Sequence, residues 1–188
     1  DGDGLDELVV GFGSYPANGG WVAIRDDAEH GRALLGWCRV PDAAYNAANG
    51  ATFPACGDTD MDGRAEIAVG LGRGGRGRWY VFDDALDGFA LRASRQVPWA
   101  EYNDGPGGGE TRLALGDVDA DGRAEPVIGL GPGGQGRWCT FSDAFSDYQF
   151  RTWNQVQWPD YVTRGAGTTR PACGDIDMDG LAEVIVGL

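Results

Sequence analysis

The chain has 188 residues, 42% of them hydrophobic, and a formal net charge of −14. That length suffices for one domain with a packed core, and the charge disfavours nucleic acid and anionic membrane surfaces as partners. All the basic residues are arginine, which excludes Schiff-base and P-loop lysines, and no apolar run is long enough for a transmembrane helix or membrane insertion.

In chain order, the first element is an acidic segment, Asp1, Asp3, Gly4 and Glu7, a truncated copy of a pattern that later occurs in full. No signal peptide is evident, and a start inside such a segment reads as a piece of something longer. Gly11-Phe12-Gly13, Trp21 and Asp26-Asp27-Ala28 follow. His30, the single histidine, has no counterpart downstream and no evident nucleophile partner, so it reads as a solvated loop residue. The acid pairs Asp26/Asp27 and Asp83/Asp84 could suggest acid–base work, but their recurrence at one place in the repeat reads as a turn.

The first complete acidic segment is Asp58, Asp60, Asp62, Gly63 and Glu66, with Arg64 at the seventh position. It returns as Asp117, Asp119, Asp121, Gly122 and Glu125 around Arg123, and as Asp175, Asp177, Asp179, Gly180 and Glu183 around Leu181. Oxygen ligands at alternate positions, a turn glycine and a later acid are what a hard divalent cation requires. An EF-hand is the rival reading, but its bidentate glutamate belongs at position twelve, where Val69, Ile128 and Val186 stand. Such clustered carboxylates repel by roughly several kcal/mol at an effective dielectric of about 20. The cation, taken as Ca²⁺, is therefore expected to be part of the fold.

Between acidic segments the middle copy reads as four strands, 66–71, 78–82, 89–97 and 111–116, with no helical periodicity. The glycine-rich stretches 72–77 and 104–109 read as hairpin connections, not phosphate cradles. Repeats are assigned at 1–59, 60–118 and 119–176, with a fourth beginning at 177–188. The fold class is all-β: a β-propeller of four-stranded blades of about 59 residues, three blades plus a partial one. Strands are unevenly shared, since the start lacks a first strand and the end carries two extra. Closure of a ring then needs additional blades or self-association, because a lone blade cannot bury both faces.

The strand ending in Gly116-Asp117, the acidic loop to Glu125 and the exit Val127-Ile128-Gly129-Leu130-Gly131 resemble the FG-GAP, or integrin-like, propeller repeats across essentially the whole chain. In blade pattern alone they are similar to calcium-containing seven-bladed lectins. The resemblance implies coordination by loop positions 1, 3, 5 and 9 and by the main-chain carbonyl at 7. Carried over, the ligands are Asp58, Asp60, Asp62, Glu66 and the Arg64 carbonyl; Asp117, Asp119, Asp121, Glu125 and the Arg123 carbonyl; Asp175, Asp177, Asp179, Glu183 and the Leu181 carbonyl. The truncated loop keeps Asp1, Asp3, Glu7 and the Leu5 carbonyl.

Function is expected elsewhere than in these loops. Aromatic clusters recur in the connections: Tyr45 and Asn46, then Trp99, Tyr102 and Asn103, then Trp158 and Tyr161. They could hold a sugar by stacking and hydrogen bonds, or pack between blades. Trp21, Trp79 and Trp138 are aligned with one another and assigned to inter-blade core. Cys38, Cys56, Cys139 and Cys173 show no zinc spacing. Cys56 and Cys173 share a place with Leu115, so that place reads as buried and apolar. The leading expectation is a noncatalytic, extracellular or cell-surface module that binds carbohydrate or a surface protein. The alternatives are a purely structural unit and a noncatalytic appendage of a secreted hydrolase.

Overall fold

The computed structural model describes residues 5–164 and 167–188, so the expected ligands Asp1 and Asp3 lie outside the described residues. The first sheet contains β1 (Leu8–Gly11), β2 (Trp21–Arg25) and β3 (Leu34–Arg39). After α1 (Ala43–Ala48) comes a four-stranded sheet, β4 (Thr52–Gly57), β5 (Glu66–Leu71), β6 (Arg78–Phe82) and β7 (Leu91–Gln96). Beyond α2 (Ala100–Asn103) lies a third sheet, β8 (Thr111–Gly116), β9 (Glu125–Leu130), β10 (Arg137–Phe141) and β11 (Phe150–Gln155). After α3 (Pro159–Arg164) the fourth has two strands, β12 (Arg170–Gly174) and β13 (Glu183–Gly187).

The fold is thus all-β, its sheets antiparallel meanders in chain order, with the strands divided unevenly at the two ends. The sequence-based boundaries at 59/60 and 118/119 fall inside the β4–β5 and β8–β9 loops, so repeat and sheet share a period but not a phase. The three helices have no place in the strand-only expectation. Each is four to six residues long, too short for an amphipathic period. The first is started by Asp42, whose side chain accepts the Tyr45 N–H.

Neighbouring sheets pack face to face. Strand β8 adjoins β4 on one side and β12 on the other, and β1 packs on β4, β5 on β8 and β9 on β12. Every residue of β5 and β9 is buried, because each of these strands is covered on both faces. One apolar cluster joins the first two sheets through Val22, Ile24, Ile67 and Val69. A second joins the next pair through Trp79, Val81, Leu113 and Phe141.

A polar clasp repeats at each of these junctions. The Thr52 hydroxyl donates to the Trp21 carbonyl at 2.8 Å and accepts the Phe12 N–H at 2.9 Å. Thr111 does the same with Arg78 and Leu71, and Thr169 with Arg137 and Leu130. The approach is so close that a Cβ on Gly11, Gly70 or Gly129 would stand 2.3–2.4 Å from the carbonyl oxygen of the facing threonine. Glycine is required there by proximity of backbone, not by an unusual φ.

Strand register corrects one sequence alignment. Gly11 pairs with Val22, Gly70 with Trp79 and Gly129 with Trp138. Val22 is therefore the counterpart of the two tryptophans, and Trp21 corresponds to Arg78 and Arg137. Trp79 is fully buried, against Phe141 of the next sheet at 5.0 Å; Trp21 and Trp138 are half-buried. The four cysteines are unpaired. Cys56 is exposed, contrary to the buried expectation, because it lines a cleft between the first two sheets.

Thr111→Val keeps the shape of a fully buried residue and removes both bonds of the clasp. It leaves the Leu71 N–H and Arg78 carbonyl without this partner, so a loss of about 2 kcal/mol or more is expected. The readout is a lower urea midpoint at unchanged m value; an unchanged midpoint would contradict the clasp's role.

Candidate functional site: the acidic loops

The three complete loops share one backbone. Met61, Ala120 and Met178 have φ of 65–67°, and Gly63, Gly122 and Gly180 have φ of 87–92°. The first aspartate holds each turn: Asp58 Oδ1 accepts the Met61 N–H at 2.6 Å and Oδ2 the Gly63 N–H at 2.9 Å. Asp117 and Asp175 make the same pairs. The fifth-position aspartates Asp62, Asp121 and Asp179 accept the N–H of Arg64, Arg123 and Leu181, the residues whose carbonyls are the expected ligands.

The ninth-position glutamate spans the loop. Glu66 Oε2 accepts from the Thr59 N–H at 2.7 Å and the Thr59 hydroxyl at 2.5 Å. Glu125 and Glu183 accept the N–H of Val118 and Ile176. Glu66 and Glu125 are buried and Glu183 half-buried. Glu66 Oε1 is buried with no hydrogen-bond partner, a costly state for a carboxylate unless a cation or proton meets it. Burial, opposed by the Thr59 bonds and reinforced by Asp60, raises the Glu66 carboxyl to about 7. Burial likewise raises Glu125 to about 7, opposed by the Val118 N–H and reinforced by Asp119 and Asp121.

Carboxylate oxygens of Asp58, Asp60 and Asp62 come within 4.8 Å of one another, and so do those of Asp62, Glu66 and Asp84. The carboxylates expected from one loop thus fall into overlapping groups, and Asp84, from the β6–β7 turn, joins one of them. Across the sheet Arg92 holds Asp60 at 2.6 Å and Asp83 at 3.1 Å; Arg151 holds Asp119 at 2.6 Å. This donor set of hard oxygens, one of them orphaned, fits a divalent cation such as Ca²⁺. In the truncated copy, Leu5 and Glu7 line a cleft of about 620 Å³ with Asp58, Arg64 and Asp84. His30, expected to be a solvated loop residue, is exposed in a turn, with Nδ1 2.7 Å from Asp27 Oδ2.

The expected ligand aromatics divide. Tyr45 and Tyr102 are buried, and their hydroxyls accept the N–H of Gly72 and Gly131, each at 2.7 Å. Asn46 and Asn103 are buried too, donating to the Val40 and Val97 carbonyls. These four are corrected to structural roles, since polar groups so placed close the connection onto the sheet. Trp99 is half-buried, stacked on Tyr102, with the Arg137 guanidinium 4.5 Å above it and Trp153 edge-on at 6.0 Å. Trp158 is 56% exposed and stacks on half-buried Tyr161 at 6.0 Å. A second aromatic surface lies in a cleft of about 600 Å³ lined by Phe12, Tyr15, Trp21 and Trp37. By register, Trp21 and Trp37 match Arg137 and Trp153, the residues that seat Trp99 between the second and third sheets.

No protein-family model matches the chain, and no curated protein is similar to it in sequence. Solved structures are similar over its full length. An exotype rhamnogalacturonan lyase, YesX, gives a TM-score of 0.56 at 18% identity, with 37% of that chain covered. A rhamnogalacturonan lyase PL11 of Bacillus licheniformis gives 0.61 at 17%, with 38% covered. Rhamnogalacturonan lyase YesW gives 0.56 at 15%, with 38% covered. At such identity the likeness is one of fold, and the chain spans well under half the length of each.

The glutamates supply a pH signature for chelator-treated protein. Glu66 and Glu125 titrate near 7 folded, against 4.5 as the ordinary value, so between those limits the folded state holds more protons than the unfolded one. Stability should therefore fall as pH rises from about 5 to 7.5. Thermal melts in chelator should show this decline, and Glu66→Gln should make it shallower, leaving the Glu125 share; a rise over that window would contradict the assignment.

Proposed function

We propose that the chain is a run of blades from a calcium-tied β-propeller in an extracellular, carbohydrate-binding protein, in which this section is noncatalytic. The observation that carries the calcium reading is Glu66 Oε1, fully buried, without a partner and inside a cluster of aspartates. An all-protein oxygen cage suits Ca²⁺ better than Mg²⁺, and extracellular calcium suits sites of modest affinity. The FG-GAP-like reading of the loops belongs to the same proposal.

The propeller reading is supported by successive sheets that repeat the same contacts, with β4, β8 and β12 on one side of the stack. It is also supported by the aromatic seats: Trp99 occupies one between sheets, while the Trp21/Trp37 cleft and Trp158 carry the unmatched halves. Additional blades, or a second copy, would supply the missing partners. Carbohydrate binding is supported by the rhamnogalacturonan lyases similar to the whole chain and by the exposed Trp158 face, a surface suited to stacking on sugar. The rival is a purely structural unit with no small ligand.

At calcium about 100 times Kd, each site should add about 2.7 kcal/mol, or roughly 5 to 10 °C in Tm for a chain of this size. Differential scanning of chelator-stripped protein checks this, with Mg²⁺ expected to do less; no rise with Ca²⁺ would sink the calcium reading. Affinity electrophoresis through rhamnogalacturonan should retard the protein, and Trp158→Ala should restore its mobility. Unretarded wild type would leave the structural rival standing.

A further inference from the structure

We infer that Asp84, and Asp143 in the following sheet, complete the cation sites from outside the acidic loop, so that each site joins two separate turns of its sheet. The inference rests on the calcium reading above and deepens it. Asp84 stands at the start of the β6–β7 turn. That turn lies at the same end of the sheet as the β4–β5 loop, because Ile67 pairs with Phe82.

Asp84 is buried, and its Oδ1 accepts the N–H of Leu86 at 2.6 Å and of Asp87 at 3.3 Å. Its carboxylate lies with those of Asp62 and Glu66, with oxygens within 4.8 Å of one another. Oxygens on opposite sides of a Ca²⁺ ion, each bonded at 2.3–2.6 Å, span about that distance. Two arginines approach this cluster. Arg92 Nη1 is taken by Asp60 and Asp83, and Arg64 Nη1 is 3.9 Å from Asp62 Oδ2. Glu66, whose Oε1 has no hydrogen-bond partner, groups with Asp62 and Asp84 and, in a second set, with Asp60 and Asp83, all acceptors when ionised.

The next sheet places the counterpart residues alike, with one difference. Asp143 is buried, its Oδ1 accepts the Ser146 N–H at 2.9 Å, and its Oδ2 and that of Asp121 both face Arg123 Nη1, at 3.7 and 3.1 Å. Arg151 takes Asp119 as Arg92 takes Asp60. The first sheet shows the contrast: Asp27, the counterpart of Asp84, gives its Oδ2 to His30. The loop carrying Asp175 lies between β12 and β13, a two-stranded sheet that brings no such turn. Among the described residues there are therefore two five-carboxylate sites and one built from its loop alone.

Isothermal titration of CaCl₂ into the chelator-stripped 188-residue chain tests this, with far-ultraviolet circular dichroism as the fold check. Wild type should show two sites tighter than any other. Asp84→Asn keeps an oxygen for the Leu86 and Asp87 N–H groups but loses the charge. It should weaken one tight site at least about tenfold, the lower end of what even an outer-shell partner costs. Asp143→Asn should independently weaken the other, and Asp87→Asn, exposed in the same turn, should change neither. Wild-type binding with unaltered titration in both the Asp84 and Asp143 variants overturns this inference and leaves the calcium reading intact. Equal weakening by Asp87→Asn would place the ion in the turn itself and also overturn it. A wild type that takes up no calcium removes both.

Discussion

Adjacent sheets come into backbone contact at a glycine. Gly11, Gly70 and Gly129 face the carbonyls of Thr52, Thr111 and Thr169 with no room for a Cβ, and the threonine hydroxyls bond across the gap to the strand they touch. This proximity fixes the distance between sheets and therefore the size of the side chains that can fill the junction. Val22, Ile67 and Val69 fill one junction; Trp79, Leu113 and Phe141 fill the next. The apolar burial supplies most of the driving force, and the clasp sets register by satisfying two buried backbone groups per junction.

The acidic loops sit at one end of this stack and are linked in series. The Asp58 carbonyl accepts the Ala124 N–H of the next loop at 2.7 Å, and the Asp117 carbonyl accepts that of Ala182 at 2.7 Å. The Thr59 hydroxyl, bonded to Glu66, also lies 2.8 Å from the Tyr148 hydroxyl of the adjoining sheet. Charge neutralised within one loop would therefore bear on the position of the next sheet as well as on its own strands. Acids that repel one another at a junction so closely packed are tolerable only with a counter-charge or a bound proton. Arg92 and Arg151 provide part of it, and the remainder is the role proposed for the cation.

Much of the candidate site was legible in the chain because its ligands are close in sequence. Alternation from Asp58 to Asp62, the glycine at 63 and the acid at 66 define a turn with little freedom, and the structure gives all three copies the same φ pattern. Asp84 was visible only as part of a recurrent acid pair. Its approach to Glu66 depends on β5 pairing with β6, a contact across 18 residues that no local pattern specifies. The aromatics were misjudged for a related reason. Tyr45 and Tyr102 look alike to Trp158 in a connection, but whether such a ring meets solvent depends on what the next sheet places over it.

The sequence by itself determined the all-β class, the strand positions and the repeat, because alternation, turn glycines and acid spacing act within a few residues. It left open what each strand touches. The segments Leu8–Gly11, Glu66–Leu71, Glu125–Leu130 and Glu183–Gly187 carry nearly the same motif. The middle two are buried throughout and the outer two are partly exposed. That difference comes from having a sheet on both faces or on one. Only the tertiary structure decides it, because burial is a property of neighbours brought together over some 40 to 60 residues of chain, by contacts that the strand's own residues do not encode.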